Sequence, residues 1–103
     1  MNYISTDFSI RMLKGDANVS FKRIDFTEIP AKVMSAFGLA DADTARVVSN
    51  ELGMLISVNR INVHLYPGDV LYIAQVVGGS LPEGTERLPE ELLLRFFKVE
   101  IND

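Results

Sequence analysis

The stretch Asp43–Gly84, DTARVVSNELGMLISVNRINVHLYPGDVLYIAQVVGGSLPEG, decides the fold. Ala45, Val48 and Leu52 recur at helical spacing behind an acidic start, and Gly53 stands where a helix can end, so a helix is expected from Asp41 or Asp43 to Gly53. From Ile56 to Tyr66 the period changes to two, with Ile61, Val63 and Leu65 alternating against polar neighbours. Pro67-Gly68-Asp69 reads as a tight turn, and Val70–Val77 returns as a nearly continuous apolar strand, which predicts a central hairpin. Val77-Gly78-Gly79-Ser80 gives that strand a flexible exit.

Working outward, Asn2–Ser5 is a strand candidate leading into Thr6–Lys14, and Gly15-Asp16 is a turn. Val19 and Phe21 alternate with Ser20 and Lys22 through Ile24, the pattern of a strand with one wet face. Thr27 can cap a helix carrying Pro30 in its first turn and a stripe of Ile29, Val33, Met34 and Phe37, with Gly38 at its end. Pro89–Leu94 has room for one or two helical turns, and Phe96–Ile101 is a last strand. The order β-β-α-α-β-β-(α)-β predicts an α/β fold over residues 1–103, one small domain with a mixed sheet and helices mainly on one face.

Composition bounds the function. A chain of 103 residues, 48% hydrophobic, buries only ~60–65% of its unfolded surface, so its core is thin and pairing with a second copy would help it. A net charge of -4 argues against binding long nucleic acid, which relies on many Lys and Arg contacts, but leaves room for a small phosphodiester held by a few N–H groups. Without cysteine there is no disulfide, thiolate nucleophile or thiolate metal site. The start MNYISTDFSIR meets Asp7 and Arg11 before any signal-like core, and no run approaches the ~20 residues of a membrane span, so no membrane association and a cytoplasmic location are expected.

Each candidate site has a bland reading beside it. His64, the sole histidine, faces away from Val63 and Leu65, either solvated or packed, with no triad or metal motif around it. Glu83, Glu86, Glu90 and Glu91 could suggest paired carboxylates, yet their even scatter reads more simply as a solvated face. Gly78-Gly79 could approach a phosphate, but no phosphate-loop or dinucleotide fingerprint surrounds it. Asn59-Arg60 could read a ligand or pin a strand end, and the second is favoured. Phe8, Met12 and Leu13 are most simply core or dimer contacts.

Three motifs in order, TDFSIRML, TARVVSNELGMLISVNR and GSLPEG, give the chain a resemblance to the viral ring-nuclease family of type III anti-CRISPR proteins, small dimers that bind and cut cyclic tetra-adenylate. The resemblance runs from Ile4 to Glu91. It implies that Ser9 and the main chain around Ile10 contact the ligand, that Gly79, Ser80 and Leu81 approach it, and that Glu83 matches the family's binding glutamate. It implies no metal and no cofactor. Its reaction is attack of a ribose 2′-hydroxyl on the neighbouring phosphate, with a histidine before the Thr-Ala helix as general acid.

Two departures bear on that chemistry. An ungapped match puts Asp41 at the histidine position, and a match through Ser35-Ala36-Phe37-Gly38 puts Leu39 there; neither supplies an imidazole. Ser80 stands where the family has arginine, removing a bidentate phosphate partner. A positioned imidazole contributes ~10²–10⁴-fold to such a proton transfer, Leu39 donates nothing, and a carboxylate such as Asp41 is an acid only where burial and ligand charge hold its proton on.

The expectation is therefore a homodimer that binds and sequesters a cyclic oligonucleotide second messenger of antiviral immunity, in host cytoplasm if the chain is viral. Alternatives are a metal-independent ring nuclease acting through Asp41 or a repositioned group, and a protein-interaction module without a nucleotide ligand.

Overall fold

A computed structural model describes residues 1–59 and 61–103. Its sheet has five strands, β1 (Asn2–Ser5), β2 (Asn18–Ile24), β3 (Met34–Ser35), β4 (Val70–Val77) and β5 (Leu93–Asn102), in the spatial order β2-β5-β4-β1-β3. β5 pairs antiparallel with both β2 and β4, whereas β1 pairs parallel with β3 and β4, so the sheet is mixed, as the sequence predicts. One α-helix, α1 (Ala42–Leu52), covers one face.

The alternation along β4 explains why its sequence is apolar on both sides. Val70, Tyr72 and Ala74 meet α1 and its neighbours, in a cluster with Ile4, Phe37, Ala45, Val48 and Phe96. Leu71 and Ile73 point the other way, into a second cluster with Leu65, Val99 and Ile101 that the Phe8–Leu13 segment helps to cover. A strand buried on both faces has no wet side to encode. β2 lies at the edge, and Phe21 is 59% exposed although its ring meets Phe8 edge-on at 5.4 Å.

α1 follows its sequence signals. A short 3-10 turn, Leu39–Asp41, leads in, Asp41 sits at the N-cap, and Gly53 closes the helix in the left-handed conformation (φ 66°) that a residue with Cβ resists. Ser49 ties the helix to the chain beyond it: its Oγ accepts from the Ile56 N–H at 3.0 Å and lies 2.7 Å from the Ala45 and Ile56 carbonyl oxygens, to one of which it donates.

Three predicted elements are corrected, and the observed order is β-β-β-α-β-β. The Thr27–Gly38 helix does not form. Asp25 caps a 3-10 turn over Phe26–Glu28 in a capping box with Glu28, and Ile29, placed before Pro30, takes the extended conformation that proline imposes on its predecessor (φ -77°, ψ 123°). The chain then supplies β3, while Ile29 and Phe37 of the predicted stripe are buried all the same.

The Ile56–Tyr66 strand of the predicted hairpin is likewise absent among the described residues. Next to the turn β4 has both edges occupied, by β5 over its whole length and by β1 from Val70 to Ile73, so the residues that a hairpin from Pro67-Gly68-Asp69 would pair first are taken. Leu65 makes only an isolated parallel bridge to Leu13. The Pro67-Gly68-Asp69 turn does form, with Asp69 N–H donating to the Tyr66 carbonyl at 2.9 Å. At Pro89–Leu94 there is a single turn closed by Leu92 N–H to the Pro89 carbonyl (3.0 Å) rather than a helix, and β5 begins at Leu93, earlier than predicted, because β4 offers it partners as far as Val77.

Candidate functional site

β1, β3 and β4 run parallel, so their carboxyl ends share one end of the sheet, where ligand sites of open α/β sheets collect. Ser5 closes β1 and Ala36 follows β3. Between them, the Thr6–Lys14 segment and residues 61–64 enclose an open cleft of about 660 Å³, lined by Ser5, Thr6, Asp7, Ser9, Arg11, Lys14, Asp41 and His64 among others.

Several local bonds shape it. Ser9 stands before a 3-10 turn (Ile10–Met12) and its Oγ accepts from the Arg11 N–H at 3.3 Å, leaving the hydroxyl hydrogen for another acceptor. Thr6 Oγ1 donates to Asp41 Oδ2 at 3.4 Å, joining the exit of β1 to the N-cap of α1. Ala36 N–H donates to the Ile4 carbonyl at 2.8 Å. The other wall is held by Leu65 N–H to the Met12 carbonyl (2.7 Å) and Lys14 N–H to the Leu65 carbonyl (3.2 Å). Asn59 pins the approach to this wall, its N–H donating to the Phe37 carbonyl and its Nδ2 to the Ser35 carbonyl, each at 2.9 Å; Arg60, its partner in the sequence reading, lies outside the described residues.

The predicted contacts divide into two groups. Ser9 and Asp41 line one cleft, and Ile10 is exposed beside Ser9 without lining it. Gly79, Ser80, Leu81 and Glu83 do not line it. They leave from the same end of the sheet but further out: Ser5 pairs with Ile73, so β4 continues four residues, ~13 Å, beyond β1 before the loop starts. Gly78 makes that exit possible, because its φ of 104° and a Cβ position 3.2 Å from the Glu91 carbonyl oxygen both favour glycine.

The loop then docks on α1. Asp43, Arg46 and Asn50, spaced to share one helix face, bond respectively to the Gly84 N–H (3.1 Å), the Thr85 carbonyl (3.4 Å) and the Glu86 carbonyl. Asp43 also pairs with Arg46 at 3.0 Å. Cleft and loop thus meet α1 two residues apart, at Asp41 and Asp43. Asp43→Ala is expected to speed amide hydrogen exchange over residues 81–86 by at least ~10-fold while changing global stability by less than ~1 kcal/mol, and unchanged exchange would refute the latch.

Sequence reasoning missed Arg11, Lys14 and His64 as cleft residues. Arg11 lies two positions from Ser9 in TDFSIRML and could have been found there; His64 carries no local signal, since its neighbours come from residues 5–14 and 36–41. Glu83, Glu86, Glu90 and Glu91 are all exposed, and among the described residues no group of three carboxylates or imidazoles could hold a metal ion. Among them, too, no helix is long and apolar enough to cross a membrane.

No curated protein matches the chain. Among solved structures, B116 of Sulfolobus turreted icosahedral virus is similar in fold, with a TM-score of 0.76 at 20% identity over 96% of this chain and 97% of that one. A family model described as STIV B116-like matches residues 3–100. With nearly its whole length matched, the chain belongs to the STIV B116-like family.

Proposed function

We propose that this is a viral protein that captures a cyclic oligonucleotide second messenger of antiviral immunity, cyclic tetra-adenylate or a close relative, between two copies of the cleft in a two-fold dimer. The observation that carries the reading is the donor set in the cleft. Two hydroxyls (Ser5, Ser9) and two cations (Arg11, Lys14) suit phosphate oxygens, while Asp7 and Asp41 can accept from ribose hydroxyls or adenine amino groups. A volume of about 660 Å³ belongs to the small-ligand class, and the acidic chain disfavours long nucleic acid. Family membership over residues 3–100 supports the viral setting of this reading, and the order of the three sequence motifs supports its ligand class. The Gly79–Glu83 loop is its second contact, held against α1 at the end of the sheet where the cleft opens.

The test is a panel of cyclic oligonucleotides of differing ring size and base, read by melting temperature and native mass spectrometry. At a hundredfold over Kd the true ligand is expected to raise the melting temperature by ~10–20 °C and to appear once per dimer. Ser9→Ala or Glu83→Ala should shrink that shift without unfolding the protein. Absence of any shift across the panel would remove the reading in favour of a protein-interaction module. Turnover of the captured ring is a second reading, favoured by the presence of His64 in the cleft.

A further inference from the structure

We propose that the sheet edge beside the start of β5 is a second binding site, separate from the cleft, for a small phosphate-type oxyanion held by the guanidinium groups of Arg23 and Arg95 and by the Leu94 N–H. β2 ends at Ile24, opposite Phe96, whereas β5 starts at Leu93, so Leu93–Arg95 have no strand partner on the β2 side. The chain turns away there into the Phe26–Glu28 turn and leaves a notch of about 190 Å³, lined by Arg23, Asp25, Phe26, Leu94 and Arg95 among others. Alternation puts both arginines on the face away from α1, Arg95 in line with Val99 and Ile101, and Arg23 in line with Val19. Arg23 pairs with Phe97, so it lies diagonally across from Arg95, with Cβ atoms roughly 7–8 Å apart by strand geometry.

The donors here lack acceptors. Arg95 Nε is buried with no hydrogen-bond partner, and Nη1 and Nη2, equally without protein partners among the described residues, stay open to solvent. Neither arginine makes an ion pair among the described residues. Asp25, the acid in the notch, is engaged elsewhere, its Oδ1 accepting from the Thr27 N–H (3.1 Å) and Oγ1 (3.3 Å). The main-chain donor follows from the ladder. Ile101 bonds on the β4 side, its N–H to the Asp69 carbonyl (3.1 Å) and its carbonyl to the Gly68 N–H (2.8 Å). Bonding direction alternates along an unbroken antiparallel strand, so the Leu94 N–H points to the other side, past the end of β2 and into the notch. A buried cationic donor without a partner and a like-charged neighbour both cost stability, and an anion between the two arginines relieves both. A tetrahedral phosphate can accept from two guanidinium forks and an N–H at once. The notch is smaller than the roughly 300 Å³ at which pockets for larger ligands begin, so it takes a phosphate group and not a nucleotide.

The experiment titrates inorganic phosphate into the full-length protein at constant ionic strength, balanced with chloride, and follows amide and arginine Nε–H resonances. Saturable shifts are expected at the Leu94 amide and the Arg95 Nε–H, with a Kd on the order of 1 mM. Arg95→Gln and Arg23→Gln should each weaken binding at least ~10-fold, and Arg95→Lys, which keeps the charge but loses the fork, nearly as much. Arg23 is exposed, so its variant keeps the test valid even if Arg95 variants fold poorly. Lys14→Gln, in the cleft, should leave these shifts unchanged. Methyl phosphate bound within a few-fold of phosphate would identify the terminal phosphate of a larger molecule as the source, and methyl phosphate bound ~10-fold more weakly the free ion. No saturable shift by ~20 mM, shifts confined to the cleft, or an unchanged Kd in Arg23→Gln would overturn the site and leave the cyclic-oligonucleotide reading of the cleft untouched.

Discussion

Phe37→Ala is expected to remove ~3–5 kcal/mol of stability, the largest single-site loss foreseen for this chain. The ring is fully buried among Ile4, Ile29, Val48, Ile56 and Tyr72, where truncation leaves a cavity that a packed sheet and helix cannot collapse to fill. The backbone at the same position is engaged on both sides, its N–H donating to Ser35 Oγ (3.3 Å) and its carbonyl accepting from Asn59 (2.9 Å). A domain of this size has about 5–15 kcal/mol in total, so roughly a fifth or more of it would go. Urea unfolding should show a lower midpoint with little change in slope. The local consequence matters for the cleft. β3 has two residues, paired only with Tyr3 and Ile4 of β1, so hydrogen exchange at Met34–Phe37 should rise first, and on the proposed function ligand affinity should fall with it because Ala36 lines the cleft. Phe21→Ala, at an exposed edge position, should cost far less; equal losses at the two sites would show that Phe37 is not the anchor that its burial indicates.

Phe37 also shows how far the sequence could be read. Its apolarity was legible, as was that of Ile29, Val33 and Met34, and the spacing of these four fits a helix. Pro30 decides otherwise, because it forces Ile29 to be extended directly after a turn that Asp25 and Glu28 close by themselves. Burial survived the change of conformation at Ile29 and Phe37 and in part at Val33, while Met34 is exposed. α1, in contrast, was legible to within a residue, since Asp41, Gly53 and the Ala45–Val48–Leu52 stripe all agree. Val63 and Leu65 do turn inward, but a strand needs a free edge as well as a pattern, and β5 and β1 had taken both edges of β4 from Val70 to Ile73, where a hairpin would begin.

The cleft was less legible for a related reason. Ser9 and Asp41 were reached through resemblance to a family, and nothing local joins them. Parallel pairing of β1 with β3 brings residues 5–14 against 36–41, and the Leu13–Leu65 bridge adds His64. A histidine read from sequence is weighed by its neighbours along the chain. Here the relevant neighbours are some 23 to 59 positions away, and only the sheet order shows them.

If the cleft holds a phosphodiester ring, reversing its two cations should be the most damaging change to binding. Arg11→Glu with Lys14→Glu turns a lining of two cations and two carboxylates into one of four carboxylates. Loss of each charge-assisted contact is worth about tenfold at exposed positions, and repulsion from the new carboxylates adds to it, so affinity is expected to fall by ~100-fold or more. Both side chains are exposed, and the ligand-free melting temperature should stay within ~2 °C of the wild type. A control separates local contact from overall charge. Lys32→Glu with Arg87→Glu makes the same change in net charge at exposed sites outside the cleft, and should weaken binding by no more than a few-fold, an effect that disappears at high salt. Isothermal titration at low and high salt reads both pairs. Equal losses in the two double variants would mean that the ligand senses only the field of the whole molecule, and that Arg11 and Lys14 do not touch it.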